Sequence, residues 1–124
     1  MKSLLLVLTA PIIGTLGQMF LKFGMREVGE VTLLELKNNT LSTLLSMLSN
    51  PWILIAMPLY AGGFILWLII LSKFNLSFAY PFLALSFVLV PLVSLLILDE
   101  YISIMRWVGI FVIFSGIVII GFSN

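Results

Sequence analysis

The sequence predicts an all-α membrane protein with four transmembrane helices and an interfacial helix between the first and the second. Hydrophobic residues make up 62% of the chain and charged residues 9%, and the mean hydropathy is +1.28. Soluble domains are about half apolar and a quarter charged, so this chain has too few charges to face water. Four apolar stretches are each long enough to cross a bilayer, and no stretch alternates as a barrel strand does.

The first span is predicted at about 3–25. Its apolar run is too long for a signal peptide and no small-residue cleavage site follows it, so we expect it to be retained. Gly14, Gln18 and Lys22 are spaced by four, which places them on one helical face beside Thr15. We expect this stripe to contact a polar substrate. Two alternatives stay open: Lys22 snorkels to the headgroups, and Gln18 bridges two helices.

The connection to the second span carries most of the charges and then an amphipathic segment. Leu41, Leu44, Leu45 and Leu48 recur at helical spacing over about 40–49, which predicts a short helix lying on the membrane surface. Asn50-Pro51 ends it. The second span follows at about 52–71, with Trp52 at the interface.

The third span, at about 77–98, is distorted and partly polar in its pattern. Pro81 and Pro91 each remove a backbone donor and free a carbonyl, which predicts kinks. Tyr80 and Ser94 fall near one helical face together with Pro91. We expect this face to line a pathway and to contact substrate; the alternative is a packing helix kinked by proline.

The fourth span, at about 102–122, carries small residues in a regular pattern. Gly109 and Gly116 are seven residues apart, with Val112 and Ile113 between them. Small residues let helices approach closely in lipid, so these four residues are the predicted dimer seam. Four helices fill their own centre with side chains, so a partner is needed to complete a polar path. We therefore expect a homodimer or a heterodimer.

The composition also excludes several kinds of function. Cysteine and histidine are absent and the net charge is +1, which removes disulfides, zinc sites built on those residues and a basic stripe for nucleic acid. The acidic residues all lie in loops or at span ends. We expect no enzymatic activity, no cofactor and no metal. Lys and Arg are biased by two charges toward the side opposite the termini, which favours both termini outside the cytoplasm but leaves either orientation open. We expect one transmembrane domain over 1–124.

The sequence resembles the small four-helix members of the drug/metabolite transporter superfamily, and in particular the paired small subunits that are proposed to flip aminoarabinose-phosphoundecaprenol. The resemblance is best from about Leu66 onward and includes Ala79-Tyr80-Pro81, the acidic turn at Glu100, Arg106-Trp107 and the glycines of the fourth span. "GQMFLK" in the first span is similar to the same group. The resemblance implies a multi-pass protein of a bacterial or archaeal cytoplasmic membrane.

The small multidrug resistance exporters are similar too, through "IGTLGQMFLKFG", but one position departs from their pattern. Those exporters depend on a membrane-embedded glutamate eight residues before the matching Lys, and Gly14 stands there in this chain. The departure favours a flippase subunit for a polyprenyl-phosphate-linked sugar, with Lys22 near the phosphate and Gln18 near polar oxygens. A small-molecule exporter and an accessory membrane subunit remain alternatives.

Overall fold

The chain folds into helices joined by short connections. The computed structural model describes residues 2–123. It consists of seven α-helices and one 3₁₀ turn in that range, namely α1 (Lys2–Val28), α2 (Leu33–Asn38), α3 (Thr40–Leu48), α4 (Pro51–Lys73), α5 (Leu76–Phe82), the 3₁₀ turn Leu83–Leu85, α6 (Ser86–Leu96) and α7 (Ile104–Phe122). Within these residues there is no strand.

Four helical segments are long and apolar enough to cross a membrane. They are α1, α4, the run Leu76–Leu96 and α7, with hydropathies between 2.0 and 2.3 over their most apolar windows. The predicted all-α membrane fold with four spans is therefore confirmed, and the segment expected at about 40–49 is helical as α3. The helix α2 was not predicted. Thr32 and Glu35 form a reciprocal capping box at its start, a pattern that the sequence already contains.

Helix α1 packs along α4 in an antiparallel arrangement. Gly24 lies against Ile53 near one end, and Gly17 lies under the ring of Tyr60 further along. The end of this contact is fixed by Glu27, which accepts hydrogen bonds from Asn50 Nδ2 at 2.9 Å and Trp52 Nε1 at 3.0 Å. Asn50 also caps α4 through its side-chain oxygen. These contacts hold α1 in a defined register, which positions its polar stripe.

The apolar core lies at the other end of the bundle and joins α1, α4, α5 and α7. Its buried members are Val7, Ala10, Ile70, Ala79, Phe82 and Ile117. Ile117 is the one buried residue of α7. That helix contributes little to the core and leaves most of its surface uncovered within the protomer.

The third span is interrupted by the 3₁₀ turn between its two prolines. Pro81 lies in α5 and Pro91 in α6. A 3₁₀ turn advances each residue by about 120° instead of the 100° of an α-helix, so three such residues add about 60° of rotation between α5 and α6. The predicted prolines therefore flank a local change of helical geometry.

Candidate functional site

A polar cavity lies between α1 and α6 and ends at the loop before α7. Its volume is about 210 Å³. We call it the α1–α6 cavity, and its lining residues are Thr15, Gln18, Met19, Lys22, Val90, Val93, Ser94, Leu98 and Glu100. Ligand pockets that enclose a small molecule usually measure about 300–1,000 Å³. The cavity is therefore smaller than pockets that enclose a whole small molecule.

Four of the predicted site residues meet in this cavity. Thr15, Gln18 and Lys22 come from α1, and Ser94 comes from α6 on the other side. Thr15 is 6% exposed, and its hydroxyl donates to the Pro11 carbonyl at 2.7 Å. The Thr15 hydroxyl therefore donates its hydrogen bond within α1 and not into the cavity. Gln18 and Lys22 are exposed in the protomer and form the open side of the cavity.

Lys22 forms an ion pair that sequence reasoning did not find. Its Nζ lies 3.6 Å from Glu100 Oε1, and the two side chains are 53% and 40% exposed. Within residues 2–123 this is the only ion pair. Glu100 lies after the third span, as the sequence indicates, and it also contacts α1 through this pair. No spacing rule connects residues so distant in the sequence.

Arg26 continues the stripe of α1 by one more turn and was also missed. Its Nη2 donates to the Leu98 carbonyl at 3.0 Å. Leu98 is 4% exposed, so this bond fastens the end of the third span to α1. The four-residue spacing from Lys22 was a signal that could have identified Arg26.

The residue before Gln18 contacts a second helix, because the ring of Tyr60 from α4 packs on Gly17. Tyr60 is itself placed by Gly17, because a Cβ at that position would lie 3.0 Å from the tyrosine ring. α1 therefore packs on α4 through Gly17, while the adjacent Gln18 lines the α1–α6 cavity.

Two predicted site residues lie elsewhere. Gly14 lines a neighbouring cavity of about 310 Å³ with Tyr60 and Trp67. Tyr80 is 61% exposed, and its ring centroid lies 6.3 Å from that of Trp67. Ser94 lines the α1–α6 cavity and Tyr80 does not, and the expectation that the two residues share one face stays a prediction.

The predicted dimer seam lies partly along a cavity between α6 and α7, which Gly109 and Ile113 line. A Cβ built on Gly109 or Gly116 would meet no other atom of the protomer within 4 Å. Val112 is 64% exposed and Ile113 is 37% exposed. The protomer therefore leaves this face without a close helix contact at either glycine.

A second cavity of about 340 Å³ lies between α6 and α7. Its lining includes Arg106 and Gly109, and it shares Val90, Ser94 and Glu100 with the α1–α6 cavity. These three shared residues lie between the two cavities. Glu100 can be reached from either side. In residues 2–123 no three His, Cys, Asp or Glu side chains come together to hold a metal ion.

The fold and this site define a class of protein, a multi-pass helical membrane protein with a polar, charged cavity between its spans. Polar and ionisable groups in such positions generally mark a substrate or ion pathway. A cation, an amide and a hydroxyl around an open cavity are donors for phosphate or sugar oxygens. These features are typical of small membrane transporters.

Comparison with curated proteins gives a more particular relationship. The chain is 29% identical over 117 residues to the probable 4-amino-4-deoxy-L-arabinose-phosphoundecaprenol flippase subunit ArnE of Pseudomonas savastanoi pv. phaseolicola, which covers 94% of this chain and 95% of the relative. It is 36% identical over 76 residues to the protein of the same name from Pseudomonas aeruginosa, which covers 61% and 66%. The match to the Pseudomonas fluorescens Pf0-1 protein of that name is 29% identical and covers 63% of the relative.

These matches confirm that the chain is a homologue of the small flippase subunits that its sequence resembles. The matches to the P. aeruginosa and Pf0-1 proteins span less than two thirds of those relatives' length. No protein-family model matches the chain, and no solved structure matches it significantly.

Proposed function

We propose that this chain is one subunit of a flippase that moves a polyprenyl-phosphate-linked sugar across the bacterial cytoplasmic membrane. The observation that carries the proposal is the α1–α6 cavity, where Lys22, Gln18 and Ser94 converge in a homologue of flippase subunits. The lipid tail stays in the bilayer while the headgroup passes through the polar groove. The protein needs to supply only binding groups for this transfer, because no covalent bond of the substrate changes.

Lys22 is the residue that binds the phosphate in this mechanism. Its ammonium group carries three donors and can replace part of the water around a phosphate diester. Gln18 and Ser94 offer neutral donors and acceptors for the remaining polar oxygens. A polar headgroup that moves from water into the bilayer without hydrogen-bond partners loses free energy of solvation. Gln18, Ser94 and Lys22 replace those partners and so lower the free-energy barrier to crossing.

A second subunit completes the groove. The cavity of about 210 Å³ is open on the side where Gln18 and Lys22 are exposed. The names of the relatives describe subunits, which supports an assembly of at least two chains. We propose a homodimer or a heterodimer with a homologous small subunit, with contact through Gly109, Val112, Ile113 and Gly116 of α7.

The exporter alternative requires an acid that carries protons inside the membrane. Among residues 2–123 the only acid in the α1–α6 cavity is Glu100, which lies in a loop and pairs with Lys22. That arrangement offers no proton carrier within a span. Proton release upon addition of a quaternary ammonium compound to the purified protein would favour the exporter.

The test is lipid mass spectrometry on protein purified gently from its host membrane, with Lys22→Met as the variant. We expect a polyprenyl-phosphate sugar to copurify with the native protein and to fall about tenfold or more in the variant, since a charged hydrogen bond contributes about 1.5–3 kcal/mol. Lys37→Met is the matched control. Lys37 lies in α2 outside the cavity, so the same chemical change there should leave the lipid bound. Equal lipid in both variants contradicts the proposed role of Lys22.

A further inference from the structure

The α1–α6 cavity contains a carboxylate as well as a cation. Glu100 Oε1 lies 3.6 Å from Lys22 Nζ, and both side chains remain about half exposed. The pair is thus accessible from the cavity and can be exchanged for ligand groups. A phosphate that binds Lys22 therefore arrives within the repulsive field of Glu100.

The backbone holds Glu100 at the cavity. Its N–H donates to the Ser94 carbonyl at 3.0 Å, and Asp99 before it adopts a φ of +53° that reverses the chain. Arg26 fastens the same loop to α1 through the Leu98 carbonyl. The backbone of Glu100 therefore stays at the cavity when Lys22 is occupied, unless this loop opens. A simple anion would have to tolerate the carboxylate.

A headgroup with both charges removes this conflict. Its anionic group binds Lys22 and its cationic group binds Glu100, so one internal ion pair is exchanged for two ion pairs with the ligand. Ser94 and Gln18 lie in the same cavity and are left for the uncharged oxygens. Neither Lys22 nor Glu100 is then left without an oppositely charged partner.

We propose that Glu100 is a specificity-determining residue that binds the ammonium group of an amino sugar, while Lys22 binds the phosphate of the same headgroup. This inference rests on the proposed function. In this proposal the loop between α6 and α7 distinguishes a headgroup with a charged amine from one with a neutral substituent. A purely structural Glu100 would affect both kinds of headgroup alike.

The experiment compares two lipids on the complete protein in nanodiscs. The probes are phosphoundecaprenol linked to 4-amino-4-deoxyarabinose and the same lipid with its amine acetylated, which keeps the phosphate and loses the positive charge. We expect the native protein to bind the amino form about tenfold or more tightly. Glu100→Gln should remove that preference and bind the two lipids within about twofold of each other.

Two further variants keep the test decisive. Asp99→Asn removes a negative charge from the adjacent residue outside the cavity, and it should keep the preference. Glu100→Asp keeps the carboxylate and should keep a reduced preference, which covers the case in which Glu100→Gln fails to fold. An undiminished preference in Glu100→Gln, or an equal loss for both lipids, overturns the assignment. If the native protein binds neither lipid, the proposed function itself fails.

Discussion

Asp99 adopts a backbone conformation that few side chains tolerate. Its φ is +53°, and it is the one non-glycine residue in 2–123 with a positive φ. Asp and Asn visit this region more readily than other residues because their short side chains form local hydrogen bonds. At this position the chain turns after α6, which brings Glu100 beside Lys22.

Substitution of Asp99 should therefore depend on backbone preference more than on charge. We expect Asp99→Val to lower the free energy of unfolding by about 1–2 kcal/mol, because a branched side chain is strained at this φ. Asp99→Gly removes the Cβ and should be neutral or slightly stabilising. The measurement is thermal unfolding of the purified variants in one detergent. Equal stability of the Val and Gly variants would show that the turn is not under this constraint.

Individual residues of the site differ in how far the sequence could identify them. Gln18 and Lys22 stand out because amides and amines are costly in lipid, and the structure brings both to one cavity. Glu100 did not stand out, since an acid after a span is ordinary and its partner comes from a distant part of the chain. Only tertiary structure forms that pair.

Helix α1 is the element that organises the protomer. One of its sides packs against α4, and its polar stripe faces α6. Its C-terminal end binds the start of α4 through Glu27 and the end of the third span through Arg26. The packing of α1 on α4 fixes the orientation of α1. The polar stripe on the other side of α1 can therefore form a site.

Gly24 provides a test of that contact. A Cβ added there would lie 2.5 Å from Ile53 Cγ1 and 3.0 Å from Asn50 Oδ1. Ile53 is 7% exposed and cannot move away freely. We expect Gly24→Ala to reduce the free energy of unfolding by about 1–3 kcal/mol, as overpacking does. Circular dichroism during thermal unfolding measures this change.

Gly62 is the matched control on the partner helix. It lies within α4, and a Cβ there would meet nothing within 4 Å. Gly62→Ala should stabilise the helix by about 0.5–1 kcal/mol, because alanine loses less backbone entropy. Identical shifts in the two variants would contradict the close packing of α1 on α4.

The elements differ in how well the sequence predicted them. Hydropathy predicted four helices at nearly the observed places because lipid demands about 20 apolar residues in each. The break at Leu83–Leu85 was not predicted. Two prolines indicate distortion, but the position of the 3₁₀ turn depends on how the span packs against α1 and α7.

At the scale of the whole molecule, one helix has few partners. α7 buries only Ile117 and exposes large apolar residues such as Phe111 and Val112. Either lipid or another chain covers this surface. The glycines at 109 and 116 favour another chain, because small residues permit close helix contact.

Gly116 tests this assembly surface. We expect Gly116→Leu to convert a dimer into monomers while the protomer keeps its stability, because no atom of the protomer lies within 4 Å of a Cβ there. Size-exclusion chromatography with light scattering in mild detergent gives the mass. Gly62→Leu, equally open but on α4, should leave the dimer intact. A dimer that persists in Gly116→Leu but is lost in Gly62→Leu would place the seam on α4.

The ion pair of the α1–α6 cavity has an electrical consequence. Lys22 and Glu100 together add no net charge to the empty cavity, and a headgroup with one anion and one cation adds none when it binds. Moving one elementary charge through a membrane potential of 100 mV changes the free energy by about 2.3 kcal/mol. For such a headgroup this term is zero in both directions. Membrane voltage then does no work on the substrate, and net flow follows the concentrations of the lipid in the two leaflets.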